Sequence, residues 1–215
     1  MNKRKWPIAP DAFAIIGVLA ILGLVLDWLL GGWGWLVPGV LILFTLFFFR
    51  NPERRGAAAA DELLSPADGQ VLSIREVEND DYIGGPALKI SIFLSLFNVH
   101  MNRVPIAGQV DFVRYQEGQF LPAFKNHASE VNERNYVGMT VADGEKKILL
   151  CQITGFVARR VVCWAKAGDH LEQGERFGLM KFGSCIELTL PKGAELYVET
   201  GMKVKGGVTV LGRLV

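Results

Sequence analysis

The sequence predicts a mainly β (α+β) protein: a pseudo-symmetric β-sandwich or half-barrel domain preceded by an N-terminal transmembrane helical hairpin. Three observations predict it. Two long apolar runs, Ala12 to Leu30 and Trp33 to Phe49, open the chain. From Leu63 onward, short apolar runs are punctuated by glycine at close intervals, as strands are. Turn signals then recur in pairs. Pro66-Ala-Asp-Gly-Gln-Val71 and Pro105-Ile-Ala-Gly-Gln-Val110 share Pro-x-x-Gly-Gln-Val, each opening a strand. Gly168-Asp-His-Leu-Glu-Gln-Gly174 and Gly201-Met-Lys-Val-Lys-Gly-Gly207 share glycines six apart around a central Leu or Val.

The hairpin comes first. Ala12–Leu30 is apolar apart from Asp27, and Trp33–Phe49 apart from Thr45. At 1.5 Å per residue such runs are about 25–30 Å long, close to a bilayer's hydrocarbon core. Gly31, Gly32 and Gly34, with Trp33 and Trp35, read as a tight interfacial turn. Lys3, Arg4 and Lys5 precede the first run, and Arg50, Arg54 and Arg55 follow the second. Positive flanks stay cytoplasmic, and a hairpin keeps both there. A cleaved signal peptide is the rival, but no small-residue cleavage site follows the first run and a second apolar run begins at once. Burial of two such helices in a soluble core needs more surface than the remaining domain offers. Shallow insertion of the second run stays open. Residues 1–55 are therefore assigned to the anchor and 56–215 to the second domain.

After an alanine-rich linker at Gly56–Asp61, the expected strands are Gln70–Val77, Leu88–Leu94, Gly108–Arg114, Lys147–Ile153, Val161–Ala165, Ile186–Leu190 and Leu196–Val198. Ile186, Leu188 and Leu190 alternate with Glu187 and Thr189, the period of a half-buried strand. Phe120 to Asn135 shows neither alternation nor a helical face and reads as a long loop, of the kind that is usually functional or mobile. Its Phe120, Leu121 and Phe124 would bury in the domain or touch lipid.

Composition excludes several function classes. With 215 residues, the chain has room for one compact domain plus an appendage. A formal charge of +1 leaves no basic field and little case for a nucleic-acid partner. Cys151, Cys163 and Cys185 form neither a disulfide framework nor a CxxC metal pattern, which suits a reducing cytosolic face. The histidines at 100, 127 and 170 show no metal-ligand spacing, so no metal is expected.

The chemistry centres on Gly183–Ser184. Gly183 has access to backbone conformations closed to other residues, and Ser184 places a hydroxyl beside the preceding carbonyl. Attack there converts the amide to an ester, β-elimination cuts the chain, and hydrolysis of the dehydroalanine leaves a pyruvoyl group. Taken alone, the dipeptide is an ordinary turn before a strand. Four stretches change that reading: Phe49-Arg-Asn-Pro-Glu-Arg54, Ser65-Pro-Ala-Asp-Gly69, Phe93-Leu-Ser-Leu-Phe-Asn-Val-His-Met-Asn-Arg-Val-Pro105 and Gly174-Glu-Arg-Phe-Gly-Leu-Met-Lys-Phe-Gly-Ser184. In this order, over residues 44–215, the chain resembles the short, membrane-anchored phosphatidylserine decarboxylases, which are pyruvoyl enzymes.

The resemblance implies cleavage between Gly183 and Ser184 into a β chain of residues 1–183 and an α chain of residues 184–215, with Ser184 becoming the covalent pyruvoyl cofactor. Its ketone would form a Schiff base with the substrate amine, and its amide carbonyl would accept electrons as CO2 leaves. The implied partners are a phospholipid substrate and the membrane, at the cytoplasmic face of the inner (cytoplasmic) membrane. A homo-oligomer stays open.

His100 is the acid/base candidate, because imidazole titrates near neutrality. Asp68 is expected to orient that imidazole or assist Ser184 in self-cleavage, although Ala-Asp-Gly is also a common turn. Longer decarboxylases carry a second histidine three residues on, where this chain has Arg103. Either His100 serves both steps, or Arg103 stabilises charge while another group moves the proton. Arg134 is a candidate for the head-group phosphate or carboxylate, or a solvated loop arginine. Cys185 with His100 would suit a thiol hydrolase, against an inert buried thiol. His127 and His170 read as loop and turn. Three alternatives remain: decarboxylation of another serine-headed lipid such as archaetidylserine, a non-catalytic biotinyl- or lipoyl-like β-sandwich tethered to the membrane, and an efflux-type adaptor.

Overall fold

The computed structural model describes residues 6–54, 56, 58–121, 131–142, 144–155, 161–181 and 183–215. The chain divides into two compact units, Met1–Glu53 and Arg54–Val215.

The first unit is a helical hairpin: α1 (Asp11–Leu30), one 3-10 turn at Trp33–Trp35, and α2 (Leu36–Phe48). Gly31 and Gly32 make the reversal at φ 58° and 65°, a region that side chains with a β-carbon avoid. Gly34 lets α1 approach, since a β-carbon there would sit 2.1 Å from the Asp27 nitrogen. The two ends meet: Ala9 N donates to Phe49 O at 2.9 Å, and Asn51 N to Pro7 O at 2.7 Å. α1, at 20 residues, is long and apolar enough to cross a membrane, and Val18, Ile21 and Leu24 face outward along it. The second expected run loses its first turn to the 3-10 segment. α2 keeps 13 residues, about 20 Å of helix, short of a full crossing.

The second unit is mostly β. In chain order its strands are β1 (Glu62–Leu64), β2 (Gly69–Asp80), β3 (Gly85–Leu94), β4 (Met101–Arg103), β5 (Gly108–Gln116), β6 (Arg134–Val141) and β7 (Lys147–Ile153). Then come β8 (Val161–Cys163), β9 (His170–Leu171), β10 (Arg176–Met180), β11 (Ser184–Pro191), β12 (Glu195–Leu196), β13 (Lys203–Val204) and β14 (Val210–Arg213). Among the described residues an eight-stranded sheet has the order β13-β2-β3-β11-β7-β6-β5-β9, and two three-stranded sheets have the orders β1-β14-β12 and β4-β10-β8. The large sheet curls into a half-barrel. Its concave side carries Ile90, Ile92, Val137, Leu150, Ile186 and Leu188, packed in one core with Leu63, Phe177 and Leu211 of the small sheets.

The paired turn signals are the sequence trace of a pseudo-two-fold axis. β13 lies on β2 with Val204 opposite Gly69 and Lys203 opposite Gln70. β9 lies on β5 with Leu171 opposite Gly108 and His170 opposite Gln109. Bulges fall at matching places, between Val71 and Ser73 on β2 and between Val110 and Phe112 on β5. The small sheets match too: Leu64 N donates to Pro105 O at 2.9 Å, and Arg103 N to Pro66 O at 2.8 Å. The axis passes through the Leu188–Leu150 pair at the centre of the large sheet.

Two expectations need correction. β6 occupies Arg134–Val141, where no strand was expected and where the expected loop still included Arg134 and Asn135. Both faces of β6 are largely covered, so it lacks the alternation by which strands are recognised. Gly138 within it leaves room for the Phe112 ring, which a β-carbon would meet at 2.3 Å. β11 is likewise buried on both faces rather than one, since Glu187 and Thr189 are 8% and 2% exposed. Phe124 and His127 lie outside the described residues.

Candidate active site

Two connectors run side by side from the large sheet to the β4-β10-β8 sheet. One leaves β3 and passes through Ser95–His100 to β4; the other joins β10 to β11 and includes Lys181 and Gly183. They are tied at one end by the pairing of Leu94 with Ser184. At the other end Met180 N donates to His100 O at 3.1 Å. This arrangement puts His100 and the Gly183–Ser184 bond on neighbouring connectors, although the two are distant in sequence.

Gly183 has φ 65°, and a β-carbon on it would meet nothing within 4 Å. The glycine is therefore required by the backbone angle and not by crowding. Ser184 opens β11 and is fully buried, on the same face as Ile186. Its Oγ has no hydrogen-bond partner among the described residues. An unpaired buried hydroxyl costs about 1–3 kcal/mol, and such a group calls for an explanation. A nucleophile with no competing partner, directly after the Gly183 carbonyl, is one. The site thus fits a serine that is consumed to make a keto group.

His100 is completely buried at the entry to β4. Asn102, two residues on and within β4, belongs to a buried polar chain. Asn135 Nδ2 donates to Gln152 Oε1 at 3.1 Å, and Gln152 Nε2 donates to Asn102 Oδ1 at 2.8 Å. Gln152 pairs with Ile186 on β11, so the chain links β6, β7 and β4 beneath the Ser184 face. Asn102 Nδ2 has no partner among the described residues and is a second unpaired buried group in this region.

Asp68, expected to orient His100 or to assist Ser184, is bound by a third residue: among the described residues the Arg54 guanidinium holds its carboxylate through both oxygens, Nη2–Oδ2 at 2.8 Å. Gly206 N donates to Oδ1 at 2.9 Å. Asp68 opens on a cleft of about 380 Å³, lined also by Gln70, Phe93, Ser95, Lys203 and Lys205. Arg103 is buried and donates through Nη1 to Gly174 O at 2.9 Å. Its Cδ leaves no room for a β-carbon on Gly207, which would fall 2.5 Å away. Arg103 thus joins the two glycine-rich turns.

Arg134 is not brought to this place. It pairs with Ile153, which pairs with Cys185, so all three side chains share the convex face, opposite Ser184. Cys185 is there too, packed with Cys151, Ile153, Phe93 and Tyr136. Burial, reinforced by Glu187, pushes its thiol well above the ordinary range. A buried thiol facing away from Ser184 does not suit a thiol hydrolase. His170 lies on β9 in the other half.

The pseudo-symmetry makes the site's chemistry visible by contrast. Leu214 N donates to Asp61 O as Met180 N donates to His100 O, which matches Asp61 with His100. Leu64 matches Arg103, and Ala107 matches Asp68. The Leu94–Ser184 pair matches Val141 and Lys146, whose N–H···O contact is 2.8 Å. The equivalent cleft exists, about 450 Å³, with Asp61, Ala107 and Lys146 in its lining. One backbone therefore appears twice: the positions of His100, Asp68 and Ser184 in one copy carry Asp61, Ala107 and Lys146 in the other. Sequence reasoning missed Arg54, although the Phe-Arg-Asn-Pro-Glu-Arg stretch pointed to it, and missed Asn102 and Gln152, which carry no local signal.

Comparison with known proteins gives the family. The family model described as phosphatidylserine decarboxylase matches residues 41–212. A phosphatidylserine decarboxylase proenzyme of Carboxydothermus hydrogenoformans is 51% identical over 200 residues, 93% of this chain and 91% of its own. One of Symbiobacterium thermophilum is 45% identical over 216 residues, 99% and 98% of the two chains. One of Desulfotalea psychrophila is 41% identical over 218 residues and covers 100% of both. With its fold, its buried serine behind a left-handed glycine and these relatives, the chain belongs to the phosphatidylserine decarboxylase family.

Proposed function

We propose that the chain is a proenzyme that cuts itself between Gly183 and Ser184, and that the mature enzyme converts phosphatidylserine to phosphatidylethanolamine and CO2. The observation that carries this reading is the buried, unpartnered Ser184 Oγ directly after a glycine at φ 65°. The proenzyme names of the relatives support it.

In self-cleavage Ser184 Oγ attacks the Gly183 carbonyl carbon. The C–N bond breaks, the nitrogen takes the hydroxyl proton, and an ester replaces the amide. Loss of the Ser184 α-proton expels the Gly183 carboxylate and leaves dehydroalanine. Water then releases ammonia and leaves the keto group. Bound to the chain, that group supplies the electron sink for CO2 loss. His100 is the residue we assign to protonating the former α-carbon, a task for an acid within hydrogen-bond reach. Lys203 and Lys205, on the cleft beside Asp68, supply positive charge for the head-group phosphate. The adjacent turn, closed by Ser95 N and Oγ donating to Asn98 Oδ1 at 2.8 and 2.7 Å, holds out Leu96 and Phe97. Phe97 is 71% exposed, which suits a lipid surface near the cleft. We assign the hairpin to the cytoplasmic membrane with the second unit on the cytoplasmic side, because Arg50, Arg54 and Arg55 follow the second apolar run.

Denaturing electrophoresis and intact mass measurement test the reading. The expected products are chains of residues 1–183 and 184–215, the second blocked at its N-terminus, with one uncut, inactive chain for Ser184→Ala. A wild-type protein that stays whole while decarboxylating, or an alanine variant that is cut, refutes it.

A further inference from the structure

The Arg54–Asp68 pair is not used by the chemistry above, yet it is a two-pronged ionic contact on the cleft lined by Asp68. Both side chains are nearly buried, 14% and 12% exposed. The guanidinium fork takes both carboxylate oxygens, and Arg54 Nη1 also donates to Gly206 O at 2.8 Å. Gly206 N returns a bond to Asp68 Oδ1 at 2.9 Å. Gly206 lies so close to Ala67 that a β-carbon on it would be 2.9 Å from Ala67 Cα. The carboxylate is therefore clamped between a guanidinium and a backbone turn.

A carboxylate offers about four acceptor positions. Among the described residues, Oδ1 takes Arg54 and Gly206, and Oδ2 takes Arg54 alone. One position, on Oδ2, is left. We propose that Arg54 is a positioning residue for self-cleavage: its fork fixes the Asp68 carboxylate so that this remaining lone pair faces the proton-carrying group that serves Ser184. This rests on the reading of Asp68 as a participant in cleavage. A guanidinium is required because a lysine ammonium is a point charge and does not hold two oxygens in one plane. Arg54 is also the first residue of the second unit, so the clamp fixes the chain where it enters that unit.

The test uses the full chain in detergent or native membranes, following the appearance of the cut chains with time. Arg54→Ala is expected to slow cutting by on the order of 10²-fold, the scale of a misplaced catalytic group. Added guanidinium ion is expected to restore a large part of that loss in Arg54→Ala and to leave Arg54→Lys, itself slow, unchanged. Thermal unfolding of each uncut variant reports its fold, and rescue by a small cation separates positioning from a folding defect. Cutting of Arg54→Ala at the parent rate or faster overturns the proposal. So does full activity of Arg54→Lys, or a slow Arg54→Ala that guanidinium does not improve. Asp68→Ala is the control: if it cuts normally, the reading of Asp68 fails and takes this one with it. If Asp68→Ala stays whole while Arg54→Ala cuts normally, only the positioning role is lost.

Discussion

At the scale of the residue, the site contrasts two kinds of buried polar group. Some are held by several partners, such as the Asp68 carboxylate with its three bonds from Arg54 and Gly206; others, Ser184 Oγ and Asn102 Nδ2, are left without partners among the described residues. His100 is the side chain whose two possible tasks are separable by experiment. If it serves decarboxylation alone, His100→Ala is expected to cut at Gly183–Ser184 and then turn over slower by about 10²–10⁴. Electrophoresis reads the first step and CO2 release the second. Normal release by the cut variant ends its candidacy, and an uncut variant assigns it to processing as well. The cysteines give a pH prediction. Burial, first, and Glu187 hold the Cys151 and Cys185 thiols above their ordinary 9.0 in the folded chain. The unfolded chain releases those protons near pH 9, whereas the folded chain keeps them. Their contribution is therefore present below pH 9 and declines above it by about 1.4 kcal/mol per pH unit per thiol. Urea midpoints for Cys185→Ala and the parent, compared at pH 8 and pH 10, are expected to show a shallower alkaline loss in the variant.

At the scale of the element, β4 is a three-residue strand that carries Asn102 and Arg103 and follows directly on His100. So short a strand is positioned by its neighbours: β10 alongside, the Arg103–Gly174 contact, and the Asn135–Gln152–Asn102 chain underneath. Gln152→Leu removes a donor and an acceptor and leaves buried amides of Asn102 and Asn135 unpaired. A loss of about 2–6 kcal/mol is expected, at roughly 1–3 kcal/mol for each of the two stranded groups, read from urea unfolding in the uncut Ser184→Ala background. An unchanged midpoint would show that the chain contributes nothing. The hairpin is the other element that chemistry can probe. In a background lacking the native cysteines, an impermeant thiol reagent outside intact cells is expected to modify Trp33→Cys and not Glu53→Cys. Modification at neither position favours shallow insertion of the second run, which agrees with the 13 residues of α2.

At the scale of the whole molecule, β11 has β3 on one side and β7 on the other, in the middle of an eight-stranded sheet. The strand that would begin at the proposed cut is therefore held on both sides. The chain from Ser184 onward also supplies β12, β13 and β14, which reach the edge of the large sheet and complete one of the small ones. The two mature chains are expected to co-elute in gel filtration without denaturant and to separate only in urea or detergent strong enough to unfold them. Spontaneous separation would contradict this topology. The sequence by itself determined the apolar hairpin, the β class and the repeated turns, because each is written in local periodicity and in glycines needing special backbone angles, Gly31, Gly32, Gly174 and Gly183 among them. It also singled out Ser184, His100 and Asp68, each through a short local motif of its own. Only the tertiary structure decided what surrounds them. β6 escaped notice because covering both its faces erased the alternation. Arg134 and Cys185 went to the face opposite Ser184 because side chains in a strand alternate and register fixes which way each points. Asp68 took Arg54 as its partner through a contact spanning the Pro-Glu-Arg entry and the Ala-Asp-Gly turn, and nothing local encodes it. Charge pairs and buried amides are settled by which backbones are brought together, and that is a property of the folded sheet and not of any stretch of sequence.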